Sequence, residues 1–441
     1  MARAKKETAL TPKERLQAAL VPDWEWPYKL PENWCWTYFK SISTIQTGKK
    51  DANYGSDEGK YPFFTCAAEP IRCHGYSFDC RAILLAGNGD INNISRYNGK
   101  FEAYQRTYVV KIAEPLCFDY IFYWFKYRWF DFNKGKMFGT AIPYIRLGNL
   151  QEFPTPIPPL AEQQRIVDRI ESLFAKLDEA KERAQAVLDS FEARKAAILH
   201  KAFTGELTAK WREEHGVRME SWEQCSLSDV CTVNPKKLDT KDLPDELEVS
   251  FFPMPALSEI YGEITDPQTR LLKEVRSGFT NFSEGDVVFA KITPCMENGK
   301  SAVVGKLVND IGYGTTEFFV LRCSDRLYNR FLYHLVRDKL FRDKAKAVMA
   351  GAVGQQRVPK RYLETYKLNL PKFNEQREIV RILDGSFAKE QQAKEAAEAV
   401  LDQIDLMKKS ILARAFRGEL GTNDPSEESA VELLKEIIRR G

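Results

Sequence analysis

Apolar residues recur at alternating steps of three and four along two long segments of the chain. This spacing places one apolar stripe on a helix and is typical of coiled-coil packing. We predict two long helices that pack against each other through their stripes. The predicted packing residues are Ile170, Leu173, Leu177, Ala184, Val187, Phe191, Ile198, Leu383, Ala397, Val400, Ile404, Met407 and Ile411.

The two helical segments are copies of one another. Residues 162–207 resemble residues 375–420 without a gap, at a constant shift of 213 positions. Gly205 and Gly418 lie near the two ends, where a glycine commonly terminates a helix. A helix of about 44 residues would be roughly 65 Å long. The repeat therefore predicts a duplicated architecture with two equivalent helices.

Each repeat helix follows a block whose pattern is mixed. Strand-like runs at 107–112 and 286–292 alternate with helical patterns such as 327–348. We predict an α+β (mixed α/β) fold in which two globular domains are separated by two long antiparallel coiled-coil helices with a pseudo-twofold internal repeat. The predicted divisions are an N-terminal arm 1–33, a first domain 34–159, a first repeat helix 160–212, a linker and second domain 213–371, a second repeat helix 372–420 and a C-terminal tail 421–441.

Composition narrows the class of protein. Hydrophobic residues make up 44% of the chain, which is enough for real cores, and no apolar run approaches the ~20 residues of a membrane span. The nine cysteines are scattered, which favours a reducing compartment over a disulfide framework. We therefore expect a cytoplasmic protein.

Positive charge is concentrated in two stretches, although the formal net charge is only +3. Residues 126–146 contain five Lys or Arg against one acid, and residues 322–361 contain eleven against three. Both stretches directly precede a repeat helix, which favours two equivalent surfaces that bind a polyanion. A solvent-exposed helix face that binds no ligand would show the same pattern, so this alternative stays open.

Two features suggest how these surfaces could contact nucleic acid. Residues 126–136 interleave aromatic and basic side chains, which suits phosphate contact together with packing on bases. Glutamine and arginine in the turn 354–357 are side chains that pair with adenine and guanine. The candidate DNA-binding residues are Lys49, Lys50, Lys126, Arg128, Lys134, Lys136, Arg146, Lys236, Lys237, Arg342, Lys344, Lys346, Gln355, Gln356, Arg357, Lys360 and Arg361.

Other motifs do not support catalysis or metal binding. The segment 294–301 ends like a phosphate-binding loop, but Pro294 replaces its first glycine, so we expect a polar turn between strands. Cys66, Cys73, His74 and Cys80 lack the close pairs of a zinc site. We predict no catalytic residue, no metal site and no cofactor in this chain.

Several segments together resemble the specificity subunit of type I restriction-modification systems, over nearly the whole chain. The resemblance rests on segments 30–34, 157–163, 202–212, 289–295, 351–359, 370–376 and 411–420. It implies that the domains at 34–159 and 213–371 are target recognition domains, each recognising one half of an asymmetric bipartite site in double-stranded DNA. It implies that the helices set the spacing between them.

The resemblance also implies partners. Two copies of a modification subunit would carry S-adenosylmethionine and adenine-N6 methylation, and restriction would add motor-nuclease subunits that use ATP and Mg²⁺. Two other functions remain as alternatives: a structural coiled-coil adaptor without DNA recognition, and a stand-alone DNA-modifying enzyme.

Overall fold

The computed structural model describes residues 11–259, 264–352 and 354–440. Residues 1–10 of the predicted arm, Val353 of the segment 351–359 and Gly441 of the tail lie outside the described residues. The chain forms two compact units. The first unit comprises Met1–Ala184 and Ala399–Gly441, and the second comprises Gln185–Glu398. Each unit thus combines one globular block with the start of one repeat helix and the end of the other.

Twelve α-helices are found in the described residues. In chain order they are α1 Pro12–Ala19, α2 Phe118–Asn133, α3 Leu147–Gln151, α4 Leu160–Asp189, α5 Phe191–Thr204, α6 Ala209–Glu214, α7 Leu272–Val275, α8 Asn329–Arg337, α9 Lys339–Ala347, α10 Lys360–Thr365, α11 Phe373–Ala415 and α12 Ala430–Arg440. None of the described helices is both long and apolar enough to cross a membrane.

Short strands supply the β part of the fold. In the first unit they are β1 Cys35–Tyr38, β2 Ser43–Thr47, β3 Tyr61–Phe64, β4 Ile71–Cys73, β5 Phe78–Ala86, β6 Ile94–Ala103, β7 Thr107–Ile112 and β8 Pro154–Ile157. In the second unit they are β9 Glu223–Ser226, β10 Cys231–Val233, β11 Glu248–Phe252, β12 Gln268–Leu271, β13 Thr280–Phe282, β14 Val287–Ala290, β15 Ser301–Val303, β16 Gly312–Gly314, β17 Phe318–Cys323 and β18 Lys367–Leu370. The predicted α+β fold is confirmed. Segment 294–301 connects β14 to β15, as expected for a turn between strands.

The two blocks share a sheet that their sequences do not reveal. The first unit contains the order β2-β7-β5-β6 and the second contains β10-β17-β14-β15, with every neighbouring pair antiparallel. A second small pair also recurs, since β1 pairs with β8 and β9 with β18. The units differ in their additions: β3 and β4 extend the first sheet, whereas β12-β11-β16-β13 forms a separate sheet in the second unit.

A glutamate at the start of α4 is buried inside the first unit. Glu162 accepts hydrogen bonds from Trp34 Nε1 at 2.8 Å, Asn423 Nδ2 at 2.8 Å and Thr422 Oγ1 at 3.3 Å. Burial raises the pKa of Glu162, and the three donors favour its charged form and oppose that rise. The tail beyond the second repeat helix therefore binds the start of the first.

The second unit repeats this junction with different chemistry. Glu375, at the start of α11, accepts hydrogen bonds from Trp222 Nε1 at 2.9 Å and Thr208 Oγ1 at 2.8 Å. It also forms a buried ion pair with Arg212, whose NH1 lies 2.7 Å from Oε1. A cation thus neutralises this carboxylate, whereas uncharged donors surround Glu162.

The glutamine after each glutamate positions a helix of the globular block. The Gln163 side chain accepts a hydrogen bond from the backbone N of Cys117, just before α2, at 2.9 Å. The Gln376 side chain accepts one from the backbone N of Tyr328, just before α8, at 2.7 Å. Because the first backbone N–H groups of a helix have no partner within the helix, these side chains satisfy part of that deficit.

Glycine is required where each repeat helix ends. Gly205 has a φ of +85° and Gly418 a φ of +73°, a conformation that L side chains rarely adopt. A Cβ added to Gly205 would lie 2.7 Å from Met219, and one added to Gly418 would lie 2.5 Å from Pro31. Each helix end therefore packs closely on the residue three positions before the buried tryptophan of its unit.

The first repeat helix is interrupted at one residue, although the sequence predicts one continuous helix. It divides at Ser190, between α4 and α5, while α11 continues without a break through Gly385. The Ser190 hydroxyl donates to the carbonyl of Ala186 at 2.6 Å, a local bond that competes with regular helix geometry. The second copy has Gln403 at this position, so the two copies differ in shape.

Most predicted packing residues lie inward. Ile170, Ala184, Phe191, Leu383, Ala397 and Ile404 are buried, and Leu173, Leu177, Val187, Ile198 and Ile411 are half-buried. Val400 and Met407 are instead 42% and 48% exposed, and their neighbours Leu401 and Lys408 are the more buried residues. A helix of 3.6 residues per turn drifts away from a strict 3.5-residue stripe, which accounts for this correction.

The helices run antiparallel within the second unit. Arg194 Nε lies 2.8 Å from Glu390 Oε2, and Lys394 lies over the Phe191 ring at 5.2 Å. Residues further along α5 thus contact residues earlier on α11. The predicted antiparallel pairing is confirmed in this unit.

Exchanging each buried glutamate for glutamine should affect the two units unequally. Glu375→Gln leaves Arg212 buried without its carboxylate, so we expect a loss of about 3–5 kcal/mol. Glu162→Gln removes an acceptor but strands no cation, so we expect about 1–2 kcal/mol. Hydrogen exchange with peptide resolution on the full chain would locate each loss in its own unit, and equal losses would contradict the difference between the junctions.

Replacing Ile404, which is 2% exposed, with aspartate should destabilise the first unit by about 3 kcal/mol, because an unpaired carboxylate becomes buried. The matched control is Val400→Asp, one turn away on the exposed side, which should change stability by less than about 0.5 kcal/mol. Urea unfolding of both variants measures the difference. Similar losses would restore the original assignment of the stripe.

Candidate nucleic-acid interface

Two loops of the first unit meet at one end of its sheet. Strands β2 and β5 are both antiparallel to β7, so they run parallel to each other. Their last residues, Thr47 and Ala86, pair with neighbouring residues at the start of β7. Lys49 and Lys50 follow β2, and the turn 87–90 follows β5. These residues therefore lie at the same end of the sheet.

A hairpin at residues 138–144 docks on this end. Phe138 and Tyr144 exchange two backbone hydrogen bonds of 2.9 Å each, which closes the hairpin. The backbone N of Gly89 donates to the carbonyl of Pro143 at 2.8 Å and ties the hairpin to the turn after β5. The sequence analysis did not predict this hairpin or its docking, because both depend on backbone contacts between segments that are distant in the chain.

Three predicted cations flank the hairpin. Lys134, Lys136 and Arg146 are exposed, and no described carboxylate forms an ion pair with them. Lys136 Nζ lies 3.7 Å from the centre of the Phe132 ring, and the Arg146 guanidinium lies 4.0 Å from that of Phe138. Aromatic packing orients Lys136 and Arg146, and Arg146 NH2 also donates to the Tyr144 hydroxyl at 3.4 Å. The ammonium groups of Lys134 and Lys136 have no hydrogen-bond acceptor among the described residues.

The interleaved aromatic residues of α2 differ in burial. Trp124 and Trp129 on α2 are fully buried in the core of the first unit. Lys126 and Arg128 lie on the outer side of the same helix, where Arg128 is 3.7 Å from Asp131. The alternation arises because one face of α2 is buried, which removes Trp129 from the rings that could pack on bases. Phe130 is 41% exposed, so base packing by this stretch stays a prediction.

The second unit has the same arrangement. Lys236 and Lys237 follow β10, and a turn follows β14 at the corresponding end of the sheet. Ala350 and Arg357 exchange two backbone hydrogen bonds, of 3.1 and 2.9 Å, which close a hairpin. The backbone N of Thr293 donates to the carbonyl of Gln356 at 3.0 Å and docks the hairpin on the turn.

Acidic neighbours engage several predicted residues of the second unit. Arg357 donates from Nε and NH2 to both carboxylate oxygens of Glu317 at 2.9 Å, and these bonds lower the pKa of Glu317. Glu317 therefore engages two of the donor groups of Arg357 and fixes the orientation of its guanidinium, and base contact by Arg357 stays a prediction. Lys346 pairs with Glu297.

The remaining candidates differ in exposure. Lys360 pairs with Glu364 at 3.0 Å. Lys344, Arg361 and Gln355 are exposed, and Gln356 is half-buried. Arg342 points inward and donates from Nε to the carbonyl of Arg337 at 3.1 Å. Lys344 and Arg361 lie on α9 and α10, the helices that precede and follow the hairpin in the chain, and they are exposed like the predicted cations of the first unit.

Lys50 and Lys237 also have local partners. Lys50 Nζ lies 4.4 Å from the centre of the Tyr54 ring, and Lys237 Nζ donates to the carbonyl of Phe279 at 2.9 Å. Lys49 and Lys236 are exposed. Each unit therefore presents cations from the segment after its edge strand and from the region of its hairpin.

Comparisons with known proteins agree with this arrangement. A family model described as the type I restriction modification DNA specificity domain matches residues 31–188 and 219–399. The EcoDI specificity subunit of a type I restriction enzyme from Escherichia coli is 28% identical over 440 residues, covering 93% of this chain and 95% of that protein.

Solved structures show the same fold. The HsdS subunit from Thermoanaerobacter tengcongensis matches with a TM-score of 0.59 at 20% identity, over 90% of this chain and all of that one. A chain from a study of complex assembly and conformational transition of the type I R-M system matches with a TM-score of 0.62 at 20% identity, over 89% of this chain and all of that one.

Proposed function

Because the chain belongs to the family of DNA specificity subunits of type I restriction-modification systems, we propose that each of its units recognises one half of an asymmetric bipartite DNA site. Subunits of this family are not catalytic themselves, which argues against the stand-alone enzyme. The observation that carries the proposal is the duplicated sheet end. Each unit presents a docked hairpin and nearby cations, and the residues of the two hairpins differ.

The chemistry of these surfaces suits DNA. Exposed lysine and arginine side chains supply phosphate contacts, which determine affinity and position. The hairpins supply side chains that differ between the units, such as Ile142 in the first and Gln355 in the second. Since the hairpins differ, the half-sites should differ as well. An adaptor without DNA recognition would not need two cationic surfaces on a common frame.

The proposal assigns spacing and assembly to the repeat helices. Two copies of one helix offer two similar docking surfaces, which suits two copies of a modification subunit. Those partners would carry S-adenosylmethionine, and restriction subunits would use ATP and Mg²⁺. Methylation of an adenine in duplex DNA requires the base to be flipped out, so this chain would supply position and grip. The proposal includes a cytoplasmic location, where a complex that acts on DNA would meet its target.

Reversing one exposed charge in either unit should weaken DNA binding. For Lys136→Glu and for Lys344→Glu in the assembled complex, we expect about tenfold lower affinity at low salt and a salt slope smaller by about 1. Matched controls are Lys100→Glu and Lys306→Glu, which lie toward the opposite ends of the two sheets. Fluorescence anisotropy across a salt series measures both quantities. Equal losses in the controls would show that the sheet end has no special role.

Exchanging the second recognition domain, residues 219–371, for that of another specificity subunit should change only one half-site. Long-read sequencing maps the methylated adenines when each chain is expressed with its modification subunit. Retention of the other half-site and of the spacing supports the proposal. A site altered in both halves, or in neither, contradicts it. The purified chain alone with S-adenosylmethionine is the control and should transfer no methyl group.

A further inference from the structure

The second unit contains a cavity of about 990 Å³ that lies away from its hairpin. Its walls come from α5, α8, α9 and α11. Phe191, Tyr333 and Phe387 contribute aromatic rings, and Lys195 and Arg342 contribute cations. The cavity is therefore lined by both apolar surface and positive charge, as ligand sites commonly are.

Lys195 has no carboxylate partner in the described part of the chain. Its only specific contact there is with the Phe387 ring, whose centre lies 5.7 Å from Nζ. Burial lowers the pKa of Lys195, and the positive charges of Arg337 and Arg342 add to this effect. Glu192 acts in the opposite direction but does not offset the shift. Lys195 is thus a half-buried cation among other cations.

The internal repeat shows how unusual this state is. The counterpart of Lys195 in the other copy is Lys408, which pairs with Asp178 at 2.5 Å and lies 5.0 Å from the Phe174 ring. Phe174 is the counterpart of Phe387, so the aromatic contact is kept in both units. The counterpart of Asp178 is the neutral Gln391. One copy therefore supplies the carboxylate for its lysine, and the other does not.

Arg342 adds a second cation without a carboxylate. Its described acceptors are the backbone carbonyls of Arg337 and Glu297. Burial lowers the pKa of Arg342, and the neighbouring charge of Arg337 lowers it further. These two carbonyl groups accept only some of the hydrogen bonds that the guanidinium can donate. Because they are uncharged, the positive charge of Arg342 remains for an anion to neutralise.

The carboxylates that line the cavity are mostly committed elsewhere. Asp384 pairs with Arg330 at 3.0 Å, and Glu390 pairs with Arg194 at 2.8 Å. Glu297 pairs with a lysine on α9. Glu259 pairs with Lys300 at 3.7 Å, and Asp343 pairs with Lys339. Glu192 on α5 also lines the cavity. Among the described residues, however, no carboxylate forms an ion pair with Lys195 or Arg342.

We propose that this cavity binds a small phosphate-bearing molecule of the nucleotide class, with its phosphate between Lys195 and Arg342 and its base against the aromatic rings. Lysine and arginine are the usual phosphate ligands in proteins, and the cavity falls at the upper end of the range of about 300–1,000 Å³ for ligand sites. The ligand would join α5 of the repeat helix to α9 of the recognition domain and stabilise the unit by mass action. The site does not depend on DNA recognition by the hairpins.

Calorimetric titration of the full-length chain tests the site, with ATP, AMP, pyrophosphate, inorganic phosphate and adenosine as probes. We expect saturable binding of the phosphate-bearing nucleotides and at least about tenfold weaker binding by Lys195→Gln. Gln391→Asp should weaken binding similarly, because it gives Lys195 the partner that Lys408 has. The matched control Lys408→Gln should bind as the unchanged chain does.

The outcomes separate the proposal from simpler explanations. Absence of saturable binding by every probe overturns it, as does binding that Lys195→Gln and Gln391→Asp leave unchanged. Because Gln391→Asp retains Lys195, it still tests whether Lys195 contributes to binding if Lys195→Gln fails to fold. A short DNA duplex is titrated in parallel. If only the duplex depends on Lys195, the cavity belongs to the DNA surface and the nucleotide site is refuted.

Discussion

The buried carboxylate at the start of each repeat helix is the constraint on which the two units depend. Glu162 and Glu375 each bind the tryptophan that leads into the globular block and the segment that leaves the other repeat helix. Removing the hydrogen-bond donors from a buried charge costs several kcal/mol. Moving either the tryptophan or the segment after the other repeat helix away from the carboxylate would therefore destabilise the unit. The helix start, the helix end and the recognition domain are held as one piece in each unit.

The two junctions use different donors for the same purpose. Arg212 neutralises Glu375, whereas Thr422 and Asn423 surround Glu162 without a formal charge. This difference explains why the copies diverge just after their shared ends. The residues around each junction can change as long as the oxygens of the buried carboxylate still receive hydrogen bonds. Lys195 and Lys408 differ in the same way: Lys408 has a carboxylate partner and Lys195 does not.

The four-stranded sheet is also common to both units, although the residues on it differ. Both units use four antiparallel strands in one order and dock a hairpin at one end, although their sequences share little. In the first unit, cations near the hairpin pack on aromatic rings, and in the second, Arg357 is bound by Glu317. A common frame with unlike surface chemistry is what recognition of two unlike half-sites would require.

Periodicity and repetition in the sequence determined the two long helices, their copying and the mixed character of the blocks, because these are local patterns that every helix or strand must satisfy. Only the tertiary structure decided the interruption at Ser190, the outward positions of Val400 and Met407, and the partners of Arg342 and Arg357. Those outcomes depend on contacts between residues that are distant in the chain, as does the shared sheet order. A charge count cannot distinguish a free arginine from a paired one, since the distinction lies in which carboxylate folding brings beside it.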